Sequence, residues 1–256
     1  MVRVGHSLAS LERFLRFLRG LPSPARWYTG REPKVTYMPL EAIEIQTGPN
    51  PTGSIIWMHG LGADGHDFEP IVPELVRPGE RALRFVFPNA PVRPVTLNRG
   101  YPMRAWYDIL GLERGTTQDE PGIRASYAEI EALIRRENGR GIPTERIVLA
   151  GFSQGGAMSI FAGTRYPDTL AGIMALSCYR LLESHFAAER TPANQVTPIF
   201  MGHGTQDPVV SPVMGEQTRR LLEASGYAVE WHSYAMPHSV CPQEVADIAA
   251  WLRRVL

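Results

Sequence analysis

Apolar residues gather along this chain in short runs that alternate with stretches of helical spacing. The runs "VTYMPLEAIEIQTG", "SIIWMHG", "ALRFVFPN", "RIVLAG", "AGIMALSC", "TPIFMGHG" and "AVEWHSYA" are rich in β-branched and aliphatic residues, which predicts strands or hairpins. Between or after them, "DFEPIVPELV", "GIRASYAEIEALIRREN", "SQGGAMSIFAGTRY", "GEQTRRLLEASG" and "PQEVADIAAWLRRVL" carry their apolar residues as helices do. This alternation predicts an α/β fold, a mainly parallel sheet with helices on both faces and reactive groups where strands end and loops begin. Residues 90–104 contain four Pro and Gly residues. That is too long for a plain connector, and such loops often shape a substrate pocket.

The N-terminus follows a different pattern. Wound as a helix, "SLASLERFLRFLRG" puts Leu8, Leu11, Phe14, Leu15, Phe17 and Leu18 on one half of the cylinder, with Glu12, Arg13, Arg16 and Arg19 on the other. A basic amphipathic helix over residues 7–20 suits an anionic membrane surface, and it equally suits packing on the protein body or on a second copy in a homodimer. "GLPSPARWYTGREP" then reads as a Pro-rich connector. The expected organisation is an extension over residues 1–34 and one core domain over residues 35–256.

Composition narrows the function classes. With 256 residues and 44% hydrophobic content the chain can bury one sizeable core, and it has no repeat or low-complexity tract. Its 26 basic residues balance 26 acidic ones, so no global field favours nucleic acid, and a small substrate is the natural partner. Cys178 and Cys241 alone give neither a disulfide framework nor metal-ligand spacing, which fits a reducing cytoplasm. No apolar run is long enough to cross a bilayer, and the charges at positions 12, 13, 16 and 19 interrupt what a secretory leader would keep apolar. The Arg-rich start shares features with an organelle transit peptide, so export is disfavoured more firmly than import.

The chemistry centres on "LAGFSQGGAMSIFAG". A strand pattern runs into a helix pattern through Gly151-Phe152-Ser153-Gln154-Gly155, and so sharp a turn strains the serine and leaves no room for side chains at 151 and 155. The alternative is a helix N-cap, a common use of serine. A nucleophilic serine needs a histidine base and a carboxylate that fixes its tautomer. Of seven histidines, His238 in "AMPHSVCP" stands after the last strand and before the final helix. His232 lies within a strand pattern, His59 and His203 precede glycines at strand ends, and His6, His66 and His185 occupy less ordered polar contexts. Asp207 in "GTQDPVV" completes the order Ser, Asp, His, ahead of Asp108, Asp168 and Asp247. "WMHGLGADGHDF" ends a strand in a Gly-rich turn, and the N–H groups of Leu61 and Gln154 are the expected oxyanion donors. A phosphate loop is the competing reading of these glycines, but no Lys-Ser/Thr follows them.

Together, "HGLGADG", "FPNAPVRPVTLN", "MRAWYDI", "GFSQGGAMS", "GTQDPVV" and "PHSVCPQEVADIAAWL" resemble the bacterial carboxylesterase and acyl-protein thioesterase (lysophospholipase) family of α/β-hydrolases, over residues 38–256. The resemblance implies the α/β-hydrolase fold and a triad of Ser153, Asp207 and His238. It also implies oxyanion donors at Leu61 and Gln154, Trp106 in the acyl-pocket wall, and no metal or cofactor. Met103 is expected to line the same channel, because its loop leaves the sheet beside the oxyanion strand. "SCYRLL" departs from the Ser-Gly-Tyr expected at Cys178, and residues 1–34 have no counterpart in the family pattern. The expected activity is hydrolysis of carboxylic esters of small or medium acyl chains. Thioesterase or lysophospholipase action is the alternative, and a binding scaffold with an idle triad is the non-enzymatic one. Dienelactone-type hydrolases share the fold but use a cysteine where this chain has Ser153.

Overall fold

The computed structural model describes residues 40–111 and 116–256. Both contacts expected of residues 7–20 therefore lie outside the described residues. Seven strands form one sheet in the order β1-β3-β2-β6-β7-β8-β9. They are β1 (Ala42–Gln46), β2 (Gly53–Met58), β3 (Leu83–Pro88), β6 (Ile147–Phe152), β7 (Gly172–Leu176), β8 (Ile199–Gly204) and β9 (Val229–Tyr234). Only β1 is antiparallel, to β3. Central strands such as β2 and β7 are buried at every residue, whereas β1 and β9 at the edges are mostly half-buried. That gradient is what a sheet covered on both faces imposes.

The helices are α1 (Val72–Leu75), α2 (Glu120–Gly139), α3 (Gln154–Gly163), α4 (Glu183–Glu189), α5 (Pro212–Ala224) and α6 (Pro242–Val255). Alternate residues of β2 serve opposite faces. Ile56 and Met58 join a core with Ile123 and Ile130 of α2 and Met158 and Phe161 of α3. Ile55 and Trp57 join one with Leu75 of α1 and Ile248 and Trp251 of α6. α3 is buried at all its residues, as a helix apolar on every side must be. Among the described residues no helix is long and apolar enough to cross a membrane.

The structure differs from the sequence reading in three places. "DFEPIVPELV" forms a 3₁₀ turn, Glu69–Ile71, and then a single α turn instead of one helix, because Pro70 and Pro73 each remove a main-chain donor. Residues 90–104 contain a hairpin of their own, β4 (Val92–Val95) with β5 (Tyr101–Arg104), in which Pro94 stands opposite Pro102. The short helix α4 lies in a stretch read as irregular.

The site sits where the chain reverses direction across the sheet. From β2 it moves outward to β3, then returns to place β6 on the other side of β2. The carboxyl ends of β2 and β6 flank that switch point, where open α/β sheets bind their ligands. The turn after β2 holds Leu61, and the turn after β6 holds Ser153.

Candidate active site

Ser153 bridges β6 and α3 with φ 54° and ψ −117°, a backbone conformation costly for any residue with a Cβ. Both ends of the turn are held. Ser153 N–H donates to Leu176 O at 2.8 Å, and its carbonyl accepts from Ala157 N–H at 3.0 Å. A Cβ on Gly155 would collide with the carbonyl oxygens of Met58 and His59, and one on Gly151 with the main chain of Gly155. The glycines are thus required by close backbone approach. The Ser153 side chain makes no cap hydrogen bond, which leaves the N-cap reading without support, and the residue is half-buried rather than sealed.

Asp207 and His238 meet at the carboxyl ends of β8 and β9. His238 Nδ1 lies 2.7 Å from Asp207 Oδ2. An ionised carboxylate only accepts, so Nδ1 carries the proton and Nε2 is free to take one. Asp207 Oδ1 accepts from the N–H groups of Val209 and Val210 at 2.8 and 2.9 Å. The His238 ring packs 4.7 Å from that of Phe152, the residue before the serine.

The turn after β2 reaches the same place. A Cβ on Gly60 would stand 3.5 Å from Ser153 Cβ, so the following residue, Leu61, lies beside the serine. Gly62 N–H donates to Arg104 O at 2.8 Å, which ties the turn to the β4–β5 hairpin. Met103 flanks Gly62, with its sulfur 3.8 Å from where a Cβ there would stand. Gln154 uses its side chain as a clamp. Its Oε1 accepts from Trp106 N–H and its Nε2 donates to Tyr107 O, both at 2.8 Å. As the first residue of α3, its own N–H belongs to the set that a helix cannot satisfy internally.

Trp106 lies deeper than a residue of an open groove would. It is fully buried, its indole N–H donates to His59 O at 3.0 Å, and its carbonyl accepts from Ser126 Oγ. His59 in turn accepts at Nε2 from Ala90 N–H at 3.0 Å and donates from Nδ1 to Gly60 O at 2.6 Å. Only neutral imidazole can do both, and burial, the largest influence, holds its pKa below the usual value. His59 is therefore a brace for the turn, which the sequence reading did not identify.

The remaining candidates are placed elsewhere. Exposed His66 pairs with Glu69, and His232 with Glu230. Asp108 caps Thr96, Asp168 is exposed, and Asp247 accepts from Tyr234. His203 is buried beneath Asp207, with Nε2 2.9 Å from Val210 O and 3.6 Å from Asp207 Oδ2. It buttresses the turn that carries Asp207, a role that the strand-end pattern did not separate from that of a base. Among the described residues, no three His, Cys, Asp or Glu side chains gather as a metal site.

A mainly parallel sheet covered on both faces, with a strained serine turn at its switch point and a His–Asp pair at the ends of β8 and β9, defines an α/β-hydrolase. The chain belongs to the phospholipase/carboxylesterase family, whose pattern matches residues 40–256. It is 41% identical over 229 residues to acyl-protein thioesterase 1 of Mycosarcoma maydis, covering 84% of this chain and 95% of that protein. It is 43% identical over 211 residues to acyl-protein thioesterase 1 of Neurospora crassa, covering 78% and 86%. Among solved structures, Arabidopsis thaliana SOBER1 superposes with a TM-score of 0.74 at 31% identity, covering 79% of this chain and 98% of that one. Zea mays acyl-protein thioesterase 2 superposes with a TM-score of 0.74 at 25% identity, covering 84% and 99%. The chain is a carboxylesterase-type serine hydrolase, of a family that acts on ester or thioester substrates.

Proposed function

We propose that this enzyme is an acyl-protein thioesterase, with Ser153 as nucleophile, His238 as base and acid, Asp207 as the orienting carboxylate, and the N–H groups of Leu61 and Gln154 as oxyanion donors. The observation that carries the chemistry is the 2.7 Å contact between His238 Nδ1 and Asp207 Oδ2, made at the sheet end where the Ser153 turn also lies. The names of the relatives support a thioester substrate, and so favour the thioesterase alternative over the small and medium oxygen esters expected first.

In this reading Ser153 Oγ attacks the acyl carbonyl carbon while His238 Nε2 takes its proton. The carbonyl oxygen becomes an anion held by two main-chain N–H groups. Collapse breaks the carbon–sulfur bond, and the departing thiolate takes the proton from His238. Water then gives a proton to the same Nε2 and attacks the acyl-enzyme. The acid is released and the proton returns to Ser153. A thiolate leaves more readily than an alkoxide, since thiols have a pKa of about 8.5, so the thioester relies less on His238 as an acid.

A panel of one S-acyl peptide, one lysophospholipid and p-nitrophenyl esters of rising chain length tests the assignment. The S-acyl peptide should give the highest kcat/KM. A lysophospholipid turned over faster, or an S-acyl peptide left intact, would overturn the thioesterase reading.

Met103, beside the oxyanion turn, and Trp106, beneath it, complete the proposal as residues lining the acyl channel. Trp106 is fully buried, so in this proposal it backs the channel wall from beneath its surface. Trp106→Ala should cost about 3–5 kcal/mol of stability, as truncation of buried aromatics does, and shift the preferred ester to a longer chain as the wall recedes. Loss of stability with unchanged ratios among chain lengths would leave the indole a packing role alone.

A further inference from the structure

Glu244 is a carboxyl that the hydrolytic steps do not use. It stands in the first turn of α6, three residues after the N-cap Cys241, and is fully buried. Among the described residues its only nearby donor is the N-cap Cys241 N–H, which does not reach either oxygen with regular hydrogen-bond geometry. Its neighbour across the interface is Gly202 of β8, where any Cβ would collide with Glu244 Oε1. Two residues on and on the same face, a Cβ at Gly204 would collide with the carbonyls of Met236 and Pro237. Met236 O also accepts from Gln206 N–H at 3.1 Å. The strand leading to Asp207 and the segment carrying His238 are therefore in direct contact, with Glu244 at one end of that contact.

We propose that Glu244 is a positioning residue for the base: wedged between Gly202 and the first turn of α6, its side chain sets how closely the 236–241 segment, and His238 with it, sits against β8. This role rests on the reading of His238 as the base.

The charges around Glu244 favour its neutral form. From its own helix Asp247 adds negative charge. β8 presents uncharged Gly202. β9 presents Tyr234, whose hydroxyl donates to Asp247 at 3.0 Å, and His232, whose Nδ1 is 3.8 Å from the same oxygen. Burial first and Asp247 second push the Glu244 carboxyl up from 4.5 to about 8, with the Cys241 N–H pulling the other way. A carboxyl raised in the folded state contributes stability that is complete below pH 4.5 and is lost as pH rises through about 8. Ionisation puts an unpaired charge between β8 and α6, and displaces the segment that holds His238.

The test is kcat and KM for a short p-nitrophenyl ester between pH 6 and 10, for wild type, Glu244→Gln and Glu244→Ala. Wild-type kcat should fall reversibly above pH 8, by roughly tenfold at pH 10, with KM little changed, as small misplacements of a base produce. Glu244→Gln, a neutral isostere, should match wild type at pH 7 and lose the alkaline fall. Glu244→Ala should be slower at every pH. Superimposable profiles for wild type and Glu244→Gln, or a wild-type fall that coincides with loss of the circular dichroism signal, would overturn the positioning role. A wild-type kcat that does not fall above pH 8 would overturn the role even if neither variant folds. Turnover surviving in Ser153→Ala would overturn the triad reading and this role with it, whereas an inactive Ser153→Ala beside an unchanged Glu244→Gln profile would overturn this role alone.

Discussion

Ser153→Ala is expected to lower kcat on the order of 10⁶-fold, the scale on which a triad nucleophile matters, while leaving the fold intact. The turn is held by main-chain bonds, from Ser153 N–H to Leu176 O and from Ala157 N–H to Ser153 O, and by glycines at 151 and 155 whose absent side chains make room for neighbouring backbone. Alanine keeps all of these. It has the same Cβ, so the φ of 54° costs it what it costs serine. The hydroxyl makes no cap hydrogen bond, so its removal leaves no partner unsatisfied in the helix. Activity and stability should therefore separate cleanly. The purified variant should melt within a few degrees of wild type and show no burst with an activated ester. Retention of even a tenth of wild-type turnover would sink the assignment of Ser153 as nucleophile.

That separation explains why the serine was legible in the sequence. Gly151 is needed by the turn itself and Gly155 by the β2 backbone that passes against it, and both requirements fall within five residues of sequence around Ser153. The central strands were legible for a similar reason, since burial on both faces leaves mostly apolar residues in β2, β7 and β8. His238, which the structure pairs with Asp207, was picked out by its place after the last strand.

What could not be read depends on contacts between distant segments. His59 and His203 both precede glycines at strand ends, and only the assembled fold shows one bracing the turn after β2 and the other the turn that carries Asp207. The hairpin β4–β5 was hidden because its strands carry Pro94 and Pro102, and proline argues against a paired strand. α4 buries only Phe186, which leaves too little periodicity to detect. Glu244 resembles any first-turn glutamate in the sequence. Its burial is set by the glycine at 202, some forty positions away.

Asp207→Asn should lower kcat by about 10⁴-fold, the cost of presenting the base in the wrong tautomer, with KM and thermal stability close to wild type. The two oxygens of Asp207 have different duties. Oδ1 accepts from two main-chain N–H groups, those of Val209 and Val210, while Oδ2 faces His238 Nδ1. In the asparagine variant the amide oxygen must take the Oδ1 place, since an NH₂ group there would face two donors. The amide nitrogen is then left opposite His238 Nδ1. A donor facing that atom favours the tautomer with the proton on Nε2, and a protonated Nε2 cannot receive the Ser153 proton. Volume and turn geometry are unchanged, so the loss should fall on kcat. Asp168→Asn, on an exposed residue outside the proposed triad, provides the control and should stay within about twofold, as surface substitutions do. If Asp207→Asn instead keeps more than a tenth of the wild-type kcat, the carboxylate does not set the tautomer. A loss that tracks a lowered melting temperature would instead make Asp207 a structural anchor for its turn.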